Sequence, residues 1–195
     1  IKYGISNDVL DLNRKYLNYY KSYKAEEGEE KEDFKLFELD DKYSELFDLH
    51  HIVAEKNSKL KVILDYSSSS DKDKFRNSVI KVLAKENSEV EVFVIARDDD
   101  RSLVLESIGI YTEDNAKVSI HQYELGAAKL YSNYKCELIG EKSESIVDSI
   151  YFGQKKEYLN MNYDMIHRGK KTESDILVNG ALKDRAFKNF KSNLQ

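Results

Sequence analysis

The chain has 195 residues, enough for one ordinary domain with an appendage, and its 41% hydrophobic content suffices for a core. Charged residues make up 34% with both signs mixed and a net of −5, so no uniform positive field favours nucleic acid or an anionic membrane surface. No apolar run approaches a membrane span, no charged leader followed by an apolar stretch opens the chain, and one cysteine, Cys136, excludes an internal disulfide, which together predict a cytoplasmic protein.

Ser6-Asn7-Asp8 offers a helix N-cap, because a short polar side chain satisfies the free amides of a first turn. Val9, Leu12, Tyr16, Tyr20 and Tyr23 follow at three- and four-residue spacing, which predicts a helix of about four turns. Lys24 to Asp33 reads KAEEGEEKED, apolar only at Ala25, and predicts a solvated linker. The chain divides there into an N-terminal helix with its acidic linker, 1–33, and a core, 34–195. Phe34 to Asp48 fits a strand followed by one helical turn.

From His50 the pattern alternates, with successive side chains on opposite faces of a strand. Strands are predicted over Leu60–Leu64, Val79–Leu83, Val90–Ile95, Leu103–Ile110, Val118–Tyr123, Leu130–Ile139, Ile146–Phe152, Tyr158–His167 and Ile176–Leu182, with a loop over 67–74. The turns Glu113-Asp114-Asn115, Glu141-Lys142 and Gly169-Lys170 recur every 28 residues, and Gly126, Gly153 and Gly180 stand 27 apart. Fixed self-similarity at this period marks stacked units. Two architectures give two strands per period. One is a parallel β-helix, with one coil per period and about five coils rising about 24 Å from Glu55 onward. The other is an antiparallel meander or sandwich. Only Asn179-Gly180 has the two-residue turn chemistry that meanders favour, and glycines in register would give each coil the same corner, so the β-helix is preferred.

No CxxC, HExxH, GxxxxGK or GxSxG motif is present, so the sequence carries no complete catalytic site of these kinds. Cys136 shares parity with Leu130, Tyr134 and Leu138, the position of a small core hydrophobe; a functional thiol needs exposure and a lowered pKa. His167 follows Leu159, Met161, Tyr163 and Met165 on one parity and reads as a corner residue at the end of an inward face. On neighbouring coils, Cys136 and His167 would supply one soft and one borderline ligand, short of the four a cluster requires. His50 and His51 face opposite ways and cannot chelate together, and His121 is expected to be exposed. Arg97-Asp98-Asp99-Asp100-Arg101 reads first as a solvated corner, and alternatively as a hard-cation site or the acid/base pair of a β-helical enzyme acting on acidic polysaccharide.

NYKCELIGEKSESIVDSIYFG and MIHRGKKTESDILVNGALKDRAFKNFK, with His167, Gly169, Thr172, Ser174 and the run Gly180 to Asp184, resemble the SufB/SufD family of iron–sulfur cluster assembly scaffolds. HHIVAEKNSKLKVILDY, His50 to Tyr66, is similar to that family's first core strands, so the likeness covers about residues 48–195. The resemblance implies a mainly β chain, a right-handed parallel β-helix core with a short N-terminal helix. It implies a non-catalytic subunit of the SUF complex, pairing with a SufB-like paralogue and the SufC ATPase while clusters are built from iron and persulfide sulfur. The Gly180–Asp184 run, the short N-terminal region and the acidic character look more like the SufD branch.

Residue by residue, the resemblance places Cys136 where SufB-type members carry a cysteine that handles sulfur and SufD-type members commonly lack one. It places His167 in a family H-x-G-x-x-T motif, so cluster or sulfur handling by Cys136 and His167 is expected on this ground alone. No cofactor is expected on this chain by itself, and an iron–sulfur cluster is expected in the assembled complex. Ser192 replaces the glycine of a family Phe-x-Gly at Phe190. The family continues beyond the position of Gln195, so the chain looks like a fragment lacking the C-terminal segment, with an open coil end that invites homodimerisation through its edges. The alternatives are the polysaccharide-acting enzyme and a β-rich binding module without metal chemistry.

Overall fold

The computed structural model describes residues 3–69 and 71–195; Ser70, in the expected 67–74 loop, lies outside the described residues. Helix α1 (Asn7–Tyr16) is followed by thirteen strands: β1 (Tyr19–Ala25), β2 (Glu30–Leu39), β3 (Glu45–Ala54), β4 (Lys59–Ser68), β5 (Lys74–Ala84), β6 (Glu89–Arg97), β7 (Ser102–Thr112), β8 (Lys117–Glu124), β9 (Lys129–Leu138), β10 (Glu144–Gly153), β11 (Tyr158–His167), β12 (Glu173–Leu182) and β13 (Phe187–Leu194). The odd-numbered strands form one seven-stranded sheet and the even-numbered strands a six-stranded sheet, each in sequence order. Every strand pairing within each sheet is parallel. The chain is therefore a parallel β-helix with two strands per coil, and the seven-stranded sheet rises about 29 Å at the usual strand spacing.

The first coil starts earlier than the sequence pattern suggests. Helix α1 keeps its expected cap, with the Ser6 Oγ accepting from the Val9 amide at 3.3 Å, but it ends at Tyr16. Tyr20 and Tyr23, expected on the helix, belong to β1, where pairing with β3 supplies their backbone partners. Lys24 to Asp33 is not a linker: it holds the end of β1, a turn, and the start of β2. Nor does a helical turn precede Asp48, because β3 runs from Glu45. The charged residues of this stretch point outward and pair sideways between coils, as in Lys61–Glu32 at 3.4 Å and Lys24–Glu55 at 3.4 Å.

One of the two repeat signals is structural. Asn115 N–H donates to the Glu141 carbonyl at 2.8 Å and Lys142 N–H to the Lys170 carbonyl at 2.8 Å, so the expected turns stack from coil to coil. Their left-handed position is filled by Asn57, Asn87, Asn115, Lys142 and Lys171, all near φ +55°; asparagine tolerates that conformation better than other side chains. The 27-residue glycine spacing, in contrast, does not mark one corner: Gly126 lies between β8 and β9, Gly153 ends β10, and Gly180 sits inside β12 opposite Tyr151. The true period varies, from 26 residues between Leu103 and Lys129 to 30 between Glu45 and Phe75.

Inside the coils, Ile52, Ile80, Val82, Ile108 and Ile110 of the odd sheet face Leu60, Val62, Leu64, Val92, Val94 and Ile120 of the even sheet, all fully buried. Outside, α1 covers β3 and β5. The buried Asn13 Nδ2 donates to the carbonyls of Asp48 at 3.0 Å and Asn77 at 2.7 Å, and Asn77 Nδ2 donates back to Val9 O at 3.0 Å. Tyr3 lies over Gly109, where an added Cβ would stand 2.6 Å from its ring. Among the described residues no helix is long and apolar enough to cross a membrane.

Candidate functional site

Along one side of the coil interior the ladder is polar instead of aliphatic. The inward column of the odd sheet carries Asp48, Ser78, Glu106 and Ser132 in successive coils. It meets Tyr66 and Glu124 from one column of the even sheet, and Gln122 and Ser149 from the next. These side chains form two linked clusters. In the first, Asp48 accepts from Ser78 at 2.7 Å and Tyr66 at 2.7 Å, and lies 2.6 Å from His50 Nε2. Burial alone would raise the Asp48 carboxyl, but the hydrogen bond and charge of His50, with the hydroxyls of Ser78 and Tyr66, hold it below its ordinary value. On the other side of the ring, His50 Nδ1 lies 3.2 Å from the Tyr23 hydroxyl.

The second cluster centres on Arg76, whose guanidinium lies 4.2 Å from the centre of the Tyr66 ring. It donates to Ser78 at 3.1 Å and Asp98 at 2.9 Å and approaches Glu106 at 3.5 Å. Gln122 Nε2 donates to Glu106 at 2.5 Å and faces Glu124 at 3.3 Å, while its oxygen accepts from Tyr163 at 2.7 Å. Parity places Arg76, Glu106, Gln122 and Glu124 inward, as it does Cys136, yet reading residue types as surface residues hides them. Continuing the alternation through Arg76-Ser78-Ile80-Val82 and Val118-Ile120-Gln122-Glu124 is the signal that finds them.

Cys136 lies next along the interior, fully enclosed, beside Tyr134, whose hydroxyl is 2.9 Å from Ser145. Burial pushes the thiol up to about 12, so it is held as a neutral thiol. His167 sits on the adjacent coil: β11 sets Met165 opposite Cys136 and His167 opposite Leu138, so the two residues share the inward face two positions apart. The motif residues gather at this corner. His167 Nδ1 is 2.7 Å from Thr172 Oγ1 and Nε2 is 2.8 Å from Ser174 Oγ, so both ring nitrogens are engaged. Gly169 is required by contact, since a Cβ there would lie 2.2 Å from the Gly140 carbonyl oxygen.

The three aspartates of the 97–101 corner diverge. Asp98 is not solvated but buried against Arg76, Asp99 accepts from the Arg101 amide at 3.0 Å and the Ser102 hydroxyl at 2.9 Å, and Asp100 pairs with Lys155. Burial of Asp98 follows from the inward Arg76, which supplies its counter-charge. His121 is half-buried instead of exposed, stacked on Phe93 at 4.6 Å with Glu91 3.3 Å away. His50 and His51 face opposite ways, as alternation requires. Among the described residues no group of three or more His, Cys, Asp or Glu side chains is placed to hold a metal ion.

A sequence profile of the family described as "SUF system FeS cluster assembly, SufBD core domain" matches residues 37–195. The chain is 24% identical over 153 residues to "Iron-sulfur cluster assembly SufBD family protein ycf24" of Trieres chinensis, covering 74% of this chain and 32% of that protein. It is 26% identical over 153 residues to the protein of the same name from Antithamnion sp., covering 74% of this chain and 52% of that protein. The chain thus spans between a third and about half the length of these curated relatives.

Proposed function

Because this chain belongs to the family of SUF-system SufBD core domains, we propose that it acts as a scaffold in iron–sulfur cluster assembly, as a SufD-like subunit that pairs with a SufB-like paralogue and the SufC ATPase. The observation that carries this reading is the profile match over 37–195, which embraces every strand except β1 and all but the end of β2. In this role the coil stack is a rigid rod whose faces and edges bind other subunits, and the cluster is cargo built on the complex. A non-enzymatic role is supported by the dispersal of Asp98, Asp99 and Asp100, which leaves no opposed carboxylate pair for glycoside chemistry.

Cys136 and His167 are the residues proposed to serve sulfur or cluster handling, since they share one interior face on adjacent coils. As placed here the thiol is enclosed and the imidazole is occupied by Thr172 and Ser174, so engagement requires the partner to open the last coils. Iron and sulfide titration followed by visible absorption tests the whole reading. The chain alone should develop no cluster band, and the chain reconstituted with SufB and SufC should. A cluster on the isolated chain, or failure to form any complex with those subunits, overturns it.

A further inference from the structure

Arg76 is the one cation that the described residues place among Asp98, Glu106 and Glu124, and all four side chains are sealed from solvent. With every carboxyl ionised, this enclosed volume would carry two uncompensated negative charges, an arrangement that low-dielectric surroundings oppose. The supply of hydrogens is short as well. The Ser78 hydroxyl hydrogen goes to Asp48, the Tyr163 hydroxyl faces Gln122 and Ser149, and Ser132 lies 3.2 Å from Glu106. Among the described residues, Asp98 Oδ1 is buried with no donor, and the Gln122 amide, at 3.3 Å, is the one donor to Glu124.

We propose that Glu106 and Glu124 form a single proton-binding site inside the coil stack, in which one proton, seated on Glu124 and directed at Glu106, is retained through neutral pH. Gln122 fixes the geometry. Its oxygen accepts from Tyr163, which turns its amide toward both carboxyls, so a deprotonated pair would present two like charges to one neutral donor group. The groups facing the pair come from each neighbouring element: Tyr66 of β4, Arg76 and Ser78 of β5, Asp98 after β6, Ser132 of β9, Ser149 of β10 and Tyr163 of β11. Arg76 is the sole cation among them, and Asp98 takes its closest contact. Burial, and then the charge of Glu106, push Glu124 well above the usual carboxylate range; burial raises Glu106 too, against the pull of Arg76.

The consequence is proton-linked coil stability. Both pKa values are raised in the folded chain, so the contribution of the pair is complete below the unfolded carboxyl pKa and is lost as pH rises toward the folded value. One proton taken up on folding lowers the folding constant about tenfold for each pH unit in that window. The test uses the full chain and its Glu124→Gln variant, with infrared spectra and denaturation across pH 5 to 9. At pH 7 the unmodified protein should show a protonated-carboxyl C=O band that E124Q lacks, and the pH slope of E124Q should be shallower by one proton. Glu106→Gln should shift the band, because its acceptor changes from carboxylate to amide. Absence of the band in the unmodified protein, an unshifted band in E106Q, or an unchanged slope in a folded E124Q overturns the proposal.

Discussion

Replacing Arg76 with methionine removes the cation on which the interior cluster closes while keeping a side chain of similar length. Asp98 then loses the partner at 2.9 Å, and since its other oxygen has no donor, the carboxylate is left without any hydrogen bond. Glu106 loses a 3.5 Å contact but keeps Gln122 and Ser132. Breaking a buried pair from one side costs about 3–5 kcal/mol, and most of that should come from Asp98, so we take about 4 kcal/mol. With a urea slope of about 3 kcal/mol/M, the midpoint should fall by about 1.3 M at pH 7. Because the stranded carboxyls can be neutralised by protonation, the loss should shrink as pH falls toward 4, and Asp98→Asn added to R76M should recover about half of it. A midpoint within about 0.3 M of the parent, or a loss that does not respond to pH, would refute the assignment of Arg76 as the counter-charge.

Gly169→Ala should lower stability by about 2–3 kcal/mol, read from the thermal midpoint, because its methyl would meet the Gly140 carbonyl on the coil below. Lys142→Asn should raise stability by about 0.5–1 kcal/mol by placing a tolerant side chain at φ +57°; no gain would mean that this corner is not strained. Cys136, sealed and with its thiol near 12, should resist a disulfide reagent at pH 8 until the chain unfolds, since only about one part in ten thousand is thiolate there; labelling of the folded chain at the rate of a free thiol contradicts the enclosed position. Asp48 is held below its unfolded pKa, so its contribution is present above about pH 4 and lost as pH falls through the folded value. Asp48→Asn should therefore cost about 2–4 kcal/mol at pH 7 and flatten the acid limb of the stability curve, and an acid limb of undiminished slope would count against it.

The strands from His50 onward were legible because alternation and residue type agree there: Leu60, Val62 and Leu64 face in, and Lys59 and Lys61 face out. The first coil was not, because Glu30, Lys31, Glu32 and Asp33 look solvated in one dimension. Their neighbours are Lys59, Leu60, Lys61 and Val62, twenty-nine positions along the chain, and only coil stacking brings them together. The glycine beat misled for a related reason. Strands vary in length from 7 residues in β1 to 11 in β5, so equal spacing in sequence does not give equal place in a coil. The Asn57, Asn87 and Asn115 corners were the better marker, since backbone conformation selects them. At the interior cluster, alternation and residue type disagree, and alternation prevails wherever a buried charge finds its partner, as Arg76 does in Asp98.

An aliphatic ladder of valines and isoleucines reads nearly the same after a two-residue slip along the strand, so it holds coils together without fixing their phase. The polar column behaves differently. Offsetting β5 by two residues against β7 would take Ser78 to the place of Arg76 and strand Asp98 and Glu106 without a cation, or take Lys74 there, whose single ammonium lacks the guanidinium fork that reaches both carboxylates. The interior charges thus act as a notch that admits one alignment of neighbouring coils. Their cost in desolvation is returned as uniqueness of coil alignment, which gives the outer faces of the stack a defined shape.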